Sequence, residues 1–384
     1  MTGEGSARRL RGMKRSVRRE KVQPRKAPAG AAKRREMKTG SSSCIKPFPD
    51  LMAGKTILYV HGFGSSGQSG TVARLREVFP EATVVAPDLP VEPGEAMVLL
   101  RETCRKERPH LVVGTSMGGM FAEMLHGCDR ILVNPAFEMA GTMRAHGMTG
   151  RQPFLNPRQD GVREFVVTDR LVKAYEEMTG QCFARVTHGE RERVWGLFGD
   201  EDALVDTIGI FRAHYPKAIR FHGGHRMDDR SFMDAVVTVI RWIDDRQEKR
   251  ERPVVHVDLD ALRDGCGKPR SAALETVRAL LERCHLFFTV PAGPGGKASG
   301  EDLAWLEQYV NVPAWGHTVL ANERPLLPGG FRIGCDDAPD GMATQIKLGS
   351  DAFKTWDDVA GYFGRLGCDN KDGKGAFHFN SHGI

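Results

Sequence analysis

The sequence predicts an α/β protein with two parallel sheets that follow one another along the chain. From residue 55 onward, short apolar runs alternate with segments whose apolar residues recur at helical spacing. Apolar strands between helices are typical of a parallel sheet covered on both faces. The charged segment 246–253 interrupts this pattern, and 384 residues are enough for two or three domains.

The first α/β domain is predicted over residues 53–245. Its strands are predicted at Ile57–Val60, Val84–Ala86, Leu111–Val113, Ile131–Val133, Val194–Phe198 and Ala218–Phe221, and its helices at Val72–Phe79, Ala96–Cys104 and Phe232–Ile243.

The second α/β domain is predicted over residues 254–366, after a charged linker at 246–253. Residues 367–384 are polar and are predicted to form a C-terminal tail. The strands of the second domain are predicted at Val254–Val257, Leu286–Val290, Thr318–Leu320, Phe331–Ile333 and Gln345–Leu348.

Residues 1–50 are predicted to be a basic disordered tail. Residues 1–46 carry a net charge of +12, whereas the rest of the chain carries −6. This segment has no hydrophobic period, so it cannot bury enough apolar surface to offset its chain entropy. It could contact RNA or an anionic surface, act as a transit peptide, or precede the true start at Met37 or Met52.

The remaining composition indicates a cytoplasmic protein without a membrane span. No apolar run reaches the roughly 18 residues that a spanning helix needs, and the N-terminus lacks the apolar core of a secretory signal. The eight cysteines form no CxxC pair and no zinc-like spacing with histidine. We therefore expect reduced thiols, and no nucleic acid partner outside the basic tail.

The segment Gly114–Gly119 contains a candidate nucleophile, Ser116. It reads G-T-S-M-G-G, follows an apolar strand and precedes a predicted helix. This strand–turn–helix context is the one that the G-x-S-x-G motif requires, because the tight turn exposes the serine hydroxyl above the sheet. Ser116 is therefore predicted to attack an acyl group.

A serine nucleophile needs a base and an orienting carboxylate, and both follow in the order Ser, Asp, His. Asp202 is favoured as the acid because its loop reads Gly-x-x-Asp-x-x-Val, and Asp200 is the alternative. His225 is favoured over His222 because two glycines precede it in a loop that can orient its ring.

An acyl-transfer site also needs donors for the developing oxyanion. The loop His61–Gly64 follows the first strand, and the backbone N–H of Phe63 is one candidate. The backbone N–H of Met117 is the second. His61 is predicted to pack under this loop without a catalytic role.

Residues 55–245 resemble the small α/β-hydrolase esterases of the YqiA/YcfP-like group. The resemblance implies a compact hydrolase with a short excursion over the active site at residues 138–190. It also implies an ester or thioester substrate and no cofactor. The segments that carry it are ILYVHGFGSS, GTSMGGMFAEML, NPAF, GDEDALV and GGH.

The second domain begins with a strand that ends in Asp-x-Asp, at Asp258 and Asp260. Two carboxylates at a strand tip can serve as nucleophile and acid/base, or bind a metal. Thr289 and Arg324, at or after later strands, could hold a phosphate. Asp336 and Asp337 could complete a magnesium site with the first pair.

The order of these features resembles the Rossmann-like haloacid-dehalogenase-like phosphohydrolases. The closing IKLGSDAFKTWDDVAGYF is similar to the end of their deoxyribonucleotidase-like branch. The resemblance implies a Mg²⁺-dependent phosphatase acting on a phosphate monoester, with Asp258 as nucleophile and Asp260 as acid/base. Ala261, Leu262 and Arg324 depart from the usual residues of that branch, so a degenerate domain is the alternative.

Together these features predict a serine hydrolase for a small ester or thioester, fused to a possible phosphatase. The alternative is a binding or regulatory scaffold with degenerate pockets, in which the basic tail contacts RNA or an anionic surface.

Overall fold

The computed structural model describes residues 45–338 and 340–366, which belong to one compact unit. Most of the predicted basic tail, residues 1–44, and the predicted C-terminal tail, residues 367–384, lie outside the described residues. Within the part of the chain that is described, no helix is long and apolar enough to cross a membrane.

The first sheet has six strands in the order β2-β1-β3-β4-β7-β8, and every neighbouring pair is parallel. Its strands are rich in Val, Leu, Ile and Phe, and almost all central positions are buried, as expected for a sheet covered on both faces. They are β1 (Thr56–Val60), β2 (Thr83–Val85), β3 (Leu111–Thr115), β4 (Asp129–Val133), β7 (Val194–Gly199) and β8 (Ala218–Phe221).

Helices pack on the two faces of this sheet and form two separate apolar layers. A π-helical segment, Phe232–Val237, joins α8 to α9. The helices are α1 (Gly70–Val78), α2 (Pro93–Glu107), α3 (Met117–Glu123), α4 (Met139–Ala145), α5 (Asp169–Thr179), α6 (His188–Arg191), α7 (Ile208–His214), α8 (Asp229–Ser231) and α9 (Thr238–Glu248).

A two-stranded antiparallel hairpin interrupts the α/β pattern within the predicted excursion 138–190. It consists of β5 (Gly150–Pro153) and β6 (Glu164–Val167). The sequence did not indicate this hairpin, because β5 reads Gly-Arg-Gln-Pro and has no apolar alternation.

The second sheet has five parallel strands in the order β11-β10-β9-β12-β13. Short 3₁₀ turns lie at Pro294–Gly296, Val312–Ala314 and Arg324–Leu326. Its strands are β9 (Val254–Asp258), β10 (His285–Val290), β11 (Thr318–Leu320), β12 (Phe331–Gly334) and β13 (Thr344–Lys347), and its helices are α10 (Leu259–Leu262), α11 (Ala273–Leu281), α12 (Gly300–Tyr309) and α13 (Trp356–Arg365).

Two predicted boundaries differ from the structure. Phe48 and Leu51 are buried in the core of the first region, and Phe48 N–H donates to the carbonyl of Val78 at 2.7 Å. The predicted tail 1–50 therefore extends too far, because Phe48, a single apolar residue among polar ones, gives no periodic signal. Likewise, α9 continues to Glu248 into the predicted linker 246–253, where Arg250 and Arg252 both bind Asp245.

In both sheets the strand order reverses beside a central strand. The reversal lies between β1 and β3 in the first sheet and between β9 and β12 in the second. Loops at the carboxyl ends of the strands diverge at such a point and leave a crevice for a ligand. Ser116 directly follows β3 and Asp258 ends β9, so each set of predicted site residues includes one beside such a reversal.

Candidate active site

Ser116 lies in a sharp turn between β3 and α3. Its φ of 56° and ψ of −123° are strained for a residue with a side chain. The turn is closely packed, because a Cβ at Gly118 would lie 2.0 Å from the carbonyl oxygen of Val60, and one at Gly114 would lie 2.3 Å from that of Gly118. Glycine at these positions therefore permits the turn that presents the Ser116 hydroxyl.

The structure brings Ser116, His225 and Asp202 into one hydrogen-bonded chain. His225 Nε2 lies 3.0 Å from Ser116 Oγ, and His225 Nδ1 lies 2.8 Å from Asp202 Oδ2. His225 lies in the loop after β8 and Asp202 in the loop after β7, so all three come from the carboxyl edge of the sheet. This is the geometry that activates a serine hydroxyl.

Asp202 is almost completely buried and is held by its own loop. Its Oδ1 accepts hydrogen bonds from the N–H groups of Leu204 at 2.8 Å and Val205 at 3.0 Å. Burial by itself would raise the pKa of Asp202, but the hydrogen bonds from His225 and these two N–H groups outweigh it and lower the pKa below its usual value. The carboxylate is therefore ionised and fixed in orientation.

The alternative pair, Asp200 and His222, forms a separate contact, whose hydrogen-bond partners do not include Ser116. His222 Nδ1 lies 2.6 Å from Asp200 Oδ2, and His222 Nε2 lies 3.0 Å from the carbonyl oxygens of Glu307 and Gln308 on α12. The N–H of Gly223 also donates to Asp200 at 3.0 Å. This second pair thus joins the loop of His225 to the second region.

The loop after β1 lies directly beside the nucleophile. A Cβ at Gly62 would lie 3.3 Å from the Cβ of Ser116, so Gly62 leaves room for the hydroxyl. His61 is buried, and its Nε2 accepts from the N–H of Leu89 at 3.0 Å, while Nδ1 lies 2.9 Å from the carbonyl of Gly62. Burial lowers the pKa of His61, which agrees with a neutral ring that holds the loop.

Both predicted oxyanion donors belong to these two elements. Phe63 follows Gly62 in the loop, and Met117 is the first residue of α3. The first N–H groups of a helix have no carbonyl partner within the helix, so the N–H of Met117 is available to a ligand.

Aromatic side chains surround the loop after β1. The ring of Phe63 packs edge-on against Phe165 of β6, with a centroid distance of 5.2 Å, and against Tyr175 of α5 at 5.9 Å. The Tyr175 hydroxyl lies 3.0 Å from the sulfur of Met117. The β5–β6 hairpin is fastened here, because Leu155 N–H donates to the carbonyl of Gly64 at 2.7 Å. The hairpin and α5 thus form an apolar wall beside the candidate nucleophile.

At the carboxyl end of the second sheet, the structure brings four of the predicted residues together. Thr289 Oγ1 donates to Asp258 Oδ1. Arg324 Nη1 lies 3.2 Å from Asp260 Oδ2 and 3.5 Å from Asp258 Oδ2. Burial raises the pKa of Asp258, although the Thr289 hydroxyl and two guanidinium groups oppose the shift.

The predicted magnesium ligands do not fit a metal site. Asp336 binds Arg332 at 2.6 Å, and Asp337 is exposed and binds Lys347 at 2.6 Å, so each of these two carboxylates already pairs with a cation of the chain. Among the described residues, no group of three or more His, Cys, Asp or Glu side chains is arranged to hold a metal ion. The physical reason is that guanidinium and ammonium groups already pair with these carboxylates.

Sequence reasoning missed one residue at this site, Arg332. It lies within β12, is buried, and donates to Asp258 as well as to Asp336. The sequence could have indicated this residue, because Phe-Arg-Ile-Gly places an arginine inside an otherwise apolar strand, where a buried charge needs a partner.

The chain matches the uncharacterised protein family UPF0227 over residues 56–218. The matched segment is less than half of the chain. It contains Ser116 and Asp202 but ends before His225.

Solved structures also show similarity over about half of the chain. Alpha/beta hydrolase domain-containing protein 10 from mouse is 16% identical, with a TM-score of 0.34, and the match covers 51% of this chain and 90% of that one. A tomato methylketone synthase I variant is 12% identical, with a TM-score of 0.35, and the match covers 54% of this chain and 100% of that one. A thioesterase domain from the curacin biosynthetic pathway is 17% identical, with a TM-score of 0.30, and the match covers 52% of this chain and 92% of that one. At such low identities and TM-scores, these similarities do not bear on the activity of this chain.

Proposed function

We propose that the first region is a serine hydrolase that cleaves a carboxylic ester or thioester. The observation that carries the proposal is the chain of hydrogen-bond distances from Ser116 Oγ to His225, 3.0 Å, and from His225 to Asp202, 2.8 Å. The strained turn at Ser116 supports it, because such strain at a nucleophile on a strand-to-helix turn is typical of acyl-transfer sites.

In the proposed acylation step, Ser116 Oγ attacks the carbonyl carbon while His225 Nε2 takes its proton. A tetrahedral intermediate forms, with its negative charge on the former carbonyl oxygen. When the bond from carbon to the leaving oxygen or sulfur breaks, His225 gives the proton to the leaving group. The product is an alcohol or thiol, and the acyl group stays on Ser116.

In the deacylation step, water replaces the leaving group. His225 Nε2 takes one proton of the water as its oxygen attacks the acyl carbon, and then returns a proton to Ser116 Oγ as the ester bond breaks. A carboxylic acid leaves, and the enzyme returns to its starting state. Asp202 stays ionised throughout, holds the Nδ1–H tautomer of His225 and stabilises the imidazolium.

The backbone N–H groups of Phe63 and Met117 are the proposed oxyanion donors. Both belong to segments adjacent to Ser116, and a Cβ at Gly62 would lie 3.3 Å from the Cβ of Ser116, so glycine leaves room beside the nucleophile. Such preorganised donors stabilise charge that develops only in the transition state.

The surroundings of Ser116 favour an apolar acyl group. Phe63, Phe165 and Tyr175 form the nearby wall, and Met117 packs against Tyr175. A charged acyl group would lose hydration against these side chains without gaining a partner. We therefore propose a neutral, apolar acyl chain.

The test is covalent labelling followed by turnover. A fluorophosphonate should label the chain once, and peptide mass spectrometry should locate the label on Ser116. A short-chain p-nitrophenyl ester should be hydrolysed by the unlabelled protein and not by the labelled one. A label on another residue, or turnover that survives complete labelling of Ser116, contradicts the proposal.

The contacts around Asp258 do not favour a second, phosphatase activity, so none is proposed. A scaffold function remains a prediction, because it depends on the basic tail, most of which lies outside the described residues. Removing residues 1–44 should abolish salt-sensitive RNA binding if that prediction is right.

A further inference from the structure

Arg332 lies inside the second sheet, where a charged side chain requires a partner. Its strand β12 pairs with β9 on one side and β13 on the other, and its side chain is 2% exposed. Burying a guanidinium is unfavourable unless carboxylates or other acceptors replace the lost water. The partners of Arg332 therefore define what this position does.

One nitrogen of Arg332 is shared by two carboxylates from different elements. Nη2 donates to Asp258 Oδ2, at the end of β9, and to Asp336 Oδ1, after β12, the latter at 2.6 Å. Nη1 donates to Gln345 Oε1 on β13 at 3.1 Å. A single positive centre between carboxylate oxygens is also the arrangement that a hard divalent cation adopts.

The neighbouring Gly334 provides the space for this contact. A Cβ at Gly334 would lie 2.7 Å from Asp258 Oδ2 and 2.9 Å from Arg332 Nη2. Any other residue would push the guanidinium away from the carboxylate. Arg332 and Gly334 are two positions apart on the strand, so they face the same side of the sheet.

The charges at this site nearly balance without a metal. The carboxylates of Asp258, Asp260 and Asp336 face the guanidinium groups of Arg324 and Arg332. With every group ionised, these five side chains carry a net charge of −1, beside the guanidinium of Arg270, which donates to the backbone carbonyl of Asp260. Without Arg332 they would carry −2, which one divalent cation would neutralise.

We infer that the guanidinium of Arg332 takes the place of a divalent cation between Asp258 and Asp336, and that its removal opens a divalent-metal site there. Asp258 Oδ1 accepts from Thr289, and Oδ2 faces both guanidinium groups. In the native chain, therefore, each oxygen of Asp258 already has a donor or a cation beside it, and Oδ2 faces the two guanidinium groups where a metal ion would lie.

The experiment is a Mn²⁺ titration of the full chain, followed by the electron paramagnetic resonance signal of free Mn²⁺. The native chain and Arg332→Lys, which keeps a cation, should bind no stoichiometric Mn²⁺. Arg332→Ala should bind one Mn²⁺ per chain, and Mg²⁺ should compete for it. Adding Asp336→Asn to Arg332→Ala should remove the binding.

Stoichiometric Mn²⁺ binding by the native chain that Asp258→Asn abolishes would overturn the inference. So would a folded Arg332→Ala chain that binds no Mn²⁺. If Arg332→Ala does not fold, Arg332→Gln takes its place, because its amide is neutral and can still donate to Gln345. Mg²⁺ should then raise the unfolding temperature of Arg332→Gln and leave that of the native chain unchanged, and the reverse result overturns the inference.

Discussion

The carboxyl ends of the two sheets hold aspartates in opposite surroundings. One oxygen of Asp202 accepts two backbone N–H groups, and the other contacts His225. The opposite nitrogen of the His225 ring lies beside the hydroxyl of Ser116. Asp258 has a hydroxyl on one oxygen and two guanidinium groups at the other. The same topological position thus carries a hydrogen-bonded Ser–His–Asp arrangement in one region and an ion-pair cluster in the other.

The largest expected effect is the loss of ester hydrolysis when the candidate nucleophile of the first region is removed. Ser116→Ala should lower ester hydrolysis by on the order of 10⁶-fold, because the nucleophile is lost while the turn can remain. The measurement is kcat for a p-nitrophenyl ester, with circular dichroism as the check on folding. Ser271→Ala, which changes an exposed serine of the second region, is the matched control and should keep native turnover.

The next prediction distinguishes the two candidate orienting acids, Asp202 and Asp200, of the loop after β7. Asp202→Asn should lower kcat by on the order of 10⁴-fold, because an amide at this position favours the wrong tautomer of His225. Asp200→Asn is the matched control, since Asp200 binds His222 instead. A larger loss of kcat in Asp200→Asn than in Asp202→Asn would assign the acid to Asp200.

In the second region, the expected effect is on stability rather than on rate. Asp258→Asn should lower the free energy of unfolding by about 3–5 kcal/mol, because Arg332 loses its buried carboxylate. Urea unfolding measures this loss, and ester hydrolysis by the folded variant should stay native. Asp337→Asn is the matched control. Its side chain is 81% exposed, so the change should stay within about 0.5 kcal/mol. Equal stability of the two variants would contradict a closed cluster at Asp258.

The smallest effect concerns the contact between the regions. Burial would lower the pKa of His222, but Asp200 and the α12 carbonyls outweigh it and raise the pKa above 6.5. Protonated His222 therefore stabilises the fold fully below pH 6.5, and this stabilisation disappears as the pH rises through the raised pKa.

His222→Ala should accordingly cost under about 1 kcal/mol, since half of the side chain is exposed, and only on the acidic side. Thermal unfolding at two pH values measures the difference, with the exposed His188→Ala as control. A cost that grows toward alkaline pH would contradict this assignment.

The parts of the fold that the sequence predicted are those with strong local patterns. Every predicted strand of both sheets is observed within one or two residues, because buried parallel strands are continuous apolar runs. The β5–β6 hairpin and the packing of Phe48 depend on contacts distant in sequence and leave no periodic trace.

The candidate sites divide in the same way. Ser116, Asp202 and His225 were predicted from a turn motif and an order along the chain, and the structure brings these side chains together. Their catalytic roles stay predictions until turnover is measured. In the second region, the motif gave the aspartates but not their partner Arg332, because a pattern of acidic residues does not say which cation faces them.

The contact of His222 with α12 has a consequence for how the molecule unfolds. The loop that carries His225 is fastened through His222 to the carbonyls of Glu307 and Gln308. Local opening of α12 would release this loop, so hydrogen exchange in the two segments should share one protection level. Opening of α12 should therefore raise the exchange rate of amides in the loop of His225, and His222→Ala should uncouple the exchange of the two segments.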